Sequence, residues 1–413
     1  MIRRIIQSVT LTIGICAFAQ QNSSSPYSYF GTGEQFFRGS IEHKSMGGIG
    51  VFPDSIHLNL ANPASYGDLK LTVISAGMKT TINKMSSDTQ HQTTNRYAVD
   101  YVAVGIPIGK FGVAFGINPQ TSVGYKIRTA EGTTLNSSTG EGGENRVFLG
   151  LGYQILPNLS IGIEGNYGFG NILTENRLFL STSPYSTLIN NNMHISAFSY
   201  NLGVMYTHQF GKDYKLFTSL TYRPSYNMDI KREKKASVMH ATLTGQNTDE
   251  VIIFPETKET YSMPNRYSFG LGLGKFRKWA FAAEYVHTAK SPFDTPISQG
   301  DSNFINKEAT RLSIGGYYVP KFNSFSNYFE RVTYRFGVRM ETTGLVINNQ
   351  EIKDNAISIG ANFPIGRSFS DMAIQLEYGQ RGTQKANLIK EDYFNISLGF
   401  SISDKWFRKL LFE

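Results

Sequence analysis

Between Tyr393 and Ser403 every second residue is apolar: Phe394, Ile396, Leu398, Phe400 and Ile402 alternate with Asn395, Ser397, Gly399 and Ser401. Successive side chains of a strand point to opposite faces, so such a segment has one oily wall and one wet or tightly packed wall. The alternation recurs: Val332, Tyr334, Phe336, Val338 and Met340 oppose Thr333, Arg335, Gly337 and Arg339, and Leu159, Ile161, Ile163 and Tyr167 oppose Ser160, Gly162, Glu164 and Asn166. Read along the whole chain, it predicts fourteen strands. The first seven are Leu71–Lys84, Arg96–Ile108, Phe111–Ile127, Arg146–Ile155, Leu159–Thr174, Ala197–Phe210 and Tyr214–Lys231. The second seven are Tyr261–Lys275, Trp279–His287, Thr310–Pro320, Val332–Thr343, Asn355–Phe363, Met372–Gly379 and Tyr393–Ser403.

The connections alternate too. Gly109-Lys110, Pro157-Asn158, Gly211-Lys212-Asp213 and Phe276-Arg277-Lys278 are tight, whereas 86–95, 130–145, 175–196, 232–260 and 288–309 are long and polar. An even strand number with short turns at one end and long loops at the other is the pattern of a bacterial barrel inserted from the periplasm. The expected fold is therefore all-β, a 14-stranded antiparallel transmembrane β-barrel. One link, 321–331, is long at the end that should be short. Apolar residues in two long links, Leu178, Phe179 and Leu180 in one and Ile252, Ile253 and Phe254 in the other, mark ligand-capture loops or strand extensions that pack on each other above the membrane.

Composition agrees with a two-faced wall: 40 Gly, 23 Tyr and 29 Phe accompany a mean hydropathy of −0.25. No run of about 18 apolar residues exists, so the membrane would be crossed by strands, which must close because hydrocarbon leaves no partner for an open edge. A propeller would show a period near 40 residues, and none is found. Met1 to about Ala19 reads as an export signal, with Arg3 and Arg4 ahead of an apolar stretch and Ala17-Phe18-Ala19 as the cleavage pattern. It contains Cys16, the chain's single cysteine, so the mature protein carries no thiol. The net charge of +8 is scattered, without basic runs among base-stacking aromatics, which argues against nucleic acid as a partner. The expected division is a signal at 1–19, a leading segment at 20–69, the barrel at 70–403 and a tail at 404–413.

The leading segment does not alternate. It is rich in turn formers yet holds Tyr27, Tyr29, Phe30, Phe36, Phe37, Met46, Ile49, Val51 and Leu60, too many large apolar groups for a solvated linker. It is expected to fold inside the barrel as a plug. Ser45-Met46-Gly47-Gly48-Ile49-Gly50-Val51, with Asp54 and then Asn62-Pro63-Ala64-Ser65-Tyr66 just before the first strand, resembles the hatch of the FadL/TodX-type outer-membrane transport proteins. Ser25-Pro26-Tyr27-Ser28-Tyr29-Phe30-Gly31 and Ser403-Asp404-Lys405-Trp406-Phe407 are similar to relatives in Bacteroidota. The resemblance implies passive uptake of long-chain fatty acids and other hydrophobic compounds across the bacterial outer membrane. It also implies an exit sideways through a bent third strand. That strand here contains Asn118-Pro119-Gln120. Proline cannot donate to a ladder, so Pro119 predicts either an opening in the wall or an early strand end near the rim.

Charges fall on the non-apolar faces. Glu164, Glu284, Glu377, Arg335 and Arg339 are expected to face the lumen as one network, tying the wall to plug residues such as Arg38 or Lys44, because isolated interior charges are costly. The seven histidines have no ligand spacing, Gly270, Gly272 and Gly274 read as a smooth strip on one barrel face, and no catalytic motif is present. No enzyme activity, metal or cofactor is expected. A second role is an adaptor subunit of protein-secretion machinery, docked through 321–331 and the basic residues Lys405, Arg408 and Lys409.

Overall fold

A computed structural model describes residues 23–211, 213–242, 245–275, 277–293, 304–365 and 370–406. The expected signal at 1–19 and most of the tail, including Arg408 and Lys409, lie outside the described residues. Fourteen antiparallel strands form the wall. They are β1 (Thr72–Ser86), β2 (His91–Ile108), β3 (Phe111–Pro119, continuing as Thr121–Glu131), β4 (Thr134–Leu156) and β5 (Leu159–Leu180). Next come β6 (Tyr185–Phe210), β7 (Tyr214–Arg223, continuing as Tyr226–Thr242), β8 (Thr257–Met263, continuing as Arg266–Lys275), β9 (Trp279–Thr288) and β10 (Ala309–Tyr318). The last are β11 (Thr333–Ile347), β12 (Gln350–Pro364), β13 (Asp371–Arg381) and β14 (Lys390–Asp404). The ring closes where β1 pairs with β14, from Thr72 opposite Asp404 to Ser86 opposite Lys390.

The alternation sorts the two faces. On β8, Tyr267, Phe269, Leu271 and Leu273 point outward and exposed, while Ser268, Gly270, Gly272 and Gly274 are buried on the inner face. That outer band of Leu, Ile, Phe and Tyr runs round the ring, as a lipid-facing surface requires.

Two features depart from the sequence-based reading. Most of 130–145, 175–196 and 232–260 is strand, not loop: β5 runs to Leu180, β6 starts at Tyr185, and Gly245–Ile253 folds back on the outer part of β7. Asn, Ser and Thr break the oily alternation there, but ladder bonding needs only backbone once a strand rises above lipid. Second, β7 and β8 are each interrupted, at Pro224-Ser225 and Pro264-Asn265. The two breaks lie side by side, because Arg223 pairs with Arg266 and Tyr226 with Met263. Neither proline has an N–H for the ladder. In β3 the strand is interrupted at Gln120, directly after Pro119.

The leading residues carry short elements: 3-10 turns at Pro26–Tyr29 and Pro63–Asp68, a two-residue strand Glu34–Gln35, and a helical turn Ile41–Lys44. Ile41, Ile49, Val51, Ala64 and Tyr66 are fully buried. Their contacts fall on strands all round the ring, and wall glycines receive them. A Cβ on Gly112 of β3 would lie 1.7 Å from the Tyr66 carbonyl oxygen, and one on Gly337 of β11 would lie 2.1 Å from the Met46 carbonyl carbon. Any side chain at either position would push the segment's backbone off the wall.

The outer band yields a prediction. Leu271→Arg should cost roughly 2–4 kcal/mol of folding free energy in liposomes, by urea titration, whereas Leu180→Arg near the long-loop end should cost roughly 0–1 kcal/mol. Equal costs at the two positions would contradict the lipid-facing assignment of β8.

Candidate functional site

Among the described residues β3 parts from β2 part-way along the wall. β3 pairs with β2 only as far as Ile117 opposite Val102. Asn118 and Pro119 still pair with Arg146 and Asn145 of β4, and both are buried. At Gln120 the strand shifts register: its N–H donates to the Glu144 carbonyl at 2.7 Å, and its own carbonyl accepts from Phe36 N at 3.0 Å. Beyond that point β3 follows β4 and never rejoins β2. Glu34 and Gln35 pair with Ser122 and Thr121, covering two residues of the edge left free.

Between the separated strands lies a cleft of about 1030 Å³. Ser24, His91, Thr94, Arg96, Tyr125, Lys126, Arg128 and Glu141 are among its lining residues, so its wall is largely polar. A second cavity of about 260 Å³ lies behind the leading segment, next to the paired proline breaks. Phe30, Tyr226, Met263 and Phe293 give it an apolar side, and Arg223, Arg266 and Glu144 a charged one. The Arg223 guanidinium stands 5.3 Å above the Tyr226 ring. Among the described residues neither Arg223 nor Arg266 has a carboxylate in ion-pairing range.

The five charges expected to form one luminal network are all buried but fall into separate groups. Arg339 and Glu377 belong to a cluster on Asp354, which is completely buried. Asp354 Oδ2 takes Arg38 at 3.2 Å, Arg339 at 3.3 Å and Arg381 at 3.0 Å, and Tyr393 donates its hydroxyl to Oδ1 at 2.5 Å. Glu341 bridges Arg38 and Arg339, and Glu377 lies 3.5 Å from Arg339. Glu284 stands elsewhere, paired with Arg311 at 3.1 Å and accepting from Gly50 N at 2.8 Å. Glu164 accepts from the Tyr66 hydroxyl at 2.8 Å and lies 3.6 Å from Arg146. Arg335 donates to Asn362 Oδ1. A single network is thus replaced by several, because residues of the leading segment, Arg38, Gly50 and Tyr66, bond to different wall charges. Lys44 meets Asp100 at 2.7 Å.

The Gly47, Gly48, Gly50 and Asn62, Pro63, Ala64 residues act as attachment points. Gly47 and Gly48 have φ of +74° and +86°, the left-handed region glycine enters freely. Gly47 N donates to Ser358 Oγ at 3.1 Å, and its carbonyl accepts from Ser313 Oγ at 2.8 Å. Asn62 caps the turn of Pro63 and Ala64 by accepting from Ala64 N at 3.0 Å, and donates to Ser219 Oγ at 2.9 Å. Burial, then the neighbouring Glu164 carboxylate, pushes the Tyr66 phenol well above its ordinary pKa. Burial would raise the Glu34 carboxyl, but Arg381 more than reverses this, leaving it below its ordinary value. Leu178, Phe179, Leu180, Ile252, Ile253 and Phe254 do not sit in capture loops: the first five end strands and Phe254 follows directly, and none lines either cavity. Of these, Leu178, Leu180, Ile252, Ile253 and Phe254 are strongly exposed.

A closed ring of fourteen strands with an apolar exterior and a polar, buried inner face defines a transmembrane β-barrel. A family model described as BamG matches residues 1–413, and the chain belongs to the BamG family. Among solved structures it is similar to the CymD monoaromatic hydrocarbon channel, with a TM-score of 0.60 and 13% identity over 89% of this chain and 98% of that one. It is also similar to the Ralstonia pickettii toluene transporter TbuX, with a TM-score of 0.59 and 13% identity over 88% and 98%. A Pseudomonas aeruginosa FadL homologue matches with a TM-score of 0.59 and 10% identity over 89% and 98%. At such identities the shared property is the fold. No curated protein matches the chain.

Removing the shared carboxylate in Asp354→Asn should leave three buried guanidinium groups under-compensated and cost about 3–5 kcal/mol. Glu351→Gln, which touches only the exposed Lys353 at 3.9 Å, should cost about 0–1 kcal/mol. Denaturant midpoints of the two variants in the same detergent check both values.

Proposed function

We propose that the chain is an outer-membrane channel for passive uptake of hydrophobic compounds, and that Ser23–Leu69 corks its bore. Substrates are amphiphiles with an anionic end, such as long-chain fatty acids, and they leave sideways where β3 parts from β2. The observation that carries this reading is the gap itself, where β3 leaves β2 beside a cleft of about 1030 Å³. The likeness in fold to channels described as carrying toluene and monoaromatic hydrocarbons supports it. The inner cavity favours an amphiphile over a bare hydrocarbon, since Arg223 and Arg266, with no carboxylate in ion-pairing range among the described residues, face aromatic and methionine side chains across a space of about 260 Å³. A polar cleft lining suits a head group passing through it.

A second reading rests on the loop at 321–331. Phe325 and Phe329 there are 103% and 63% exposed, while the backbone is fixed by Lys321 N donating to the Glu330 carbonyl at 2.8 Å and by the Tyr328 hydroxyl donating to the Pro364 carbonyl at 2.9 Å. A fixed loop that presents aromatic rings favours a protein partner, such as a secretion component, at the short-turn end.

Labelled long-chain fatty acid uptake should fall when the gene is deleted. The Arg223→Ala/Arg266→Ala double variant should bind the acid roughly tenfold or more weakly, the loss of at least one charge-assisted hydrogen bond. Thr94→Trp in the cleft should slow uptake while leaving that binding intact. Unchanged uptake in the deletion strain, with a stoichiometric protein partner recovered in mild detergent, would favour the second reading instead.

A further inference from the structure

The histidines show no ligand spacing in sequence, yet the fold gathers one of them with two distant carboxylates. His57 is buried in the leading segment, its Nδ1 2.7 Å from Asp54 Oδ2 and its Nε2 against Asp371 Oδ2 at the start of β13. Glu42, from the turn Ile41–Lys44, points into the same place. The ligand atoms of Glu42, His57 and Asp371 lie within 4.8 Å of one another, and the three residues are 4%, 7% and 7% exposed. Asn362 donates to Asp371 Oδ1 at 3.2 Å and towards Glu42 Oε1 at 3.5 Å, while its own Oδ1 is taken by Arg335.

We propose that Glu42, Nε2 of His57 and Asp371 hold a single divalent transition-metal ion that fastens the leading segment to β13. The donor set is one imidazole and two carboxylates, which suits Zn²⁺ and leaves a fourth tetrahedral position for water. Metal–ligand bonds of about 2.0–2.2 Å place tetrahedral donor atoms roughly 3.4 Å apart, so an ion would draw the group inward at its widest separation and open the close contact between His57 Nε2 and Asp371, both by side-chain rotation. Asp54 occupies the outer-shell position, fixing the tautomer so that Nε2 faces the ion, and Asn362 does the same for Asp371. Charge points the same way. Among the described residues the buried carboxylates Glu42 and Asp371 and the half-buried Asp54 gather about His57, with Arg335 and the buried His43 nearby, and a divalent ion would offset this concentration of acidic groups. This assignment is independent of what the barrel transports.

The full-length protein, purified from its native membrane, should retain or take up about one equivalent of Zn²⁺ per chain, measured by inductively coupled plasma mass spectrometry. Stripping with dipicolinate should lower the melting temperature, and added Zn²⁺ should restore it, a readout needing no variant. Asp54→Asn should weaken Zn²⁺ binding about 10–100-fold. His57→Gln should abolish it, and His208→Gln on the exterior should leave it unchanged. A wild-type protein without metal whose melting does not respond to Zn²⁺ overturns the proposal, leaving a protonated His57 bridging Asp54 and Asp371. Full Zn²⁺ occupancy in His57→Gln overturns it as well.

Discussion

Backbone N–H and C=O groups inside hydrocarbon find no water, so a strand wall is tolerated only if each edge meets another edge. The pairing of β14 with β1 meets that requirement along fifteen residue pairs, Thr72–Ser86 against Lys390–Asp404. The outer half of β3 separates from β2, and the freed edge is partly covered. Proline ends the shared ladder, a register shift turns the strand, and Glu34 and Gln35 cover the first two residues of the freed edge. A structural defect left to itself would be costly, so an edge maintained this way is a feature with a use.

The patched edge and the ion cluster form one unit. Arg381 reaches Asp354 at 3.0 Å and Glu34 at 3.0 Å, so the residue opposite Ser122 on the open edge is held by the ion cluster on Asp354. Arg38, four residues along, joins the same carboxylate. The two residues over the freed edge of β3 are therefore anchored electrostatically by side chains of β12 and β13.

Much of this was legible in the sequence, and the failures have physical causes. Strand number and facing followed from side-chain period, because lipid enforces the alternation at every turn of the wall. The outer extensions did not, since above the membrane nothing requires an oily face and Asn190, Asn191 and Asn192 of β6 read as loop. Asp354 and Arg381 were missed by one and two residues, lying just beyond the predicted strand limits at Asn355 and Gly379. Asn62-Pro63-Ala64 was recognisable because capping chemistry is local. Glu42, His57 and Asp371 were not, since His57 and Asp371 are 314 residues apart.

The hydroxyl of Tyr27 donates to the carbonyl of Ile389, 362 positions later in the chain. Contacts this distant cannot form until synthesis is nearly over, and they pay loop-closure entropy before any reward arrives. Tyr27 and its neighbours therefore complete their bonding only once the last hairpin has arrived, so the order of synthesis and the order of packing run in opposite directions along this chain.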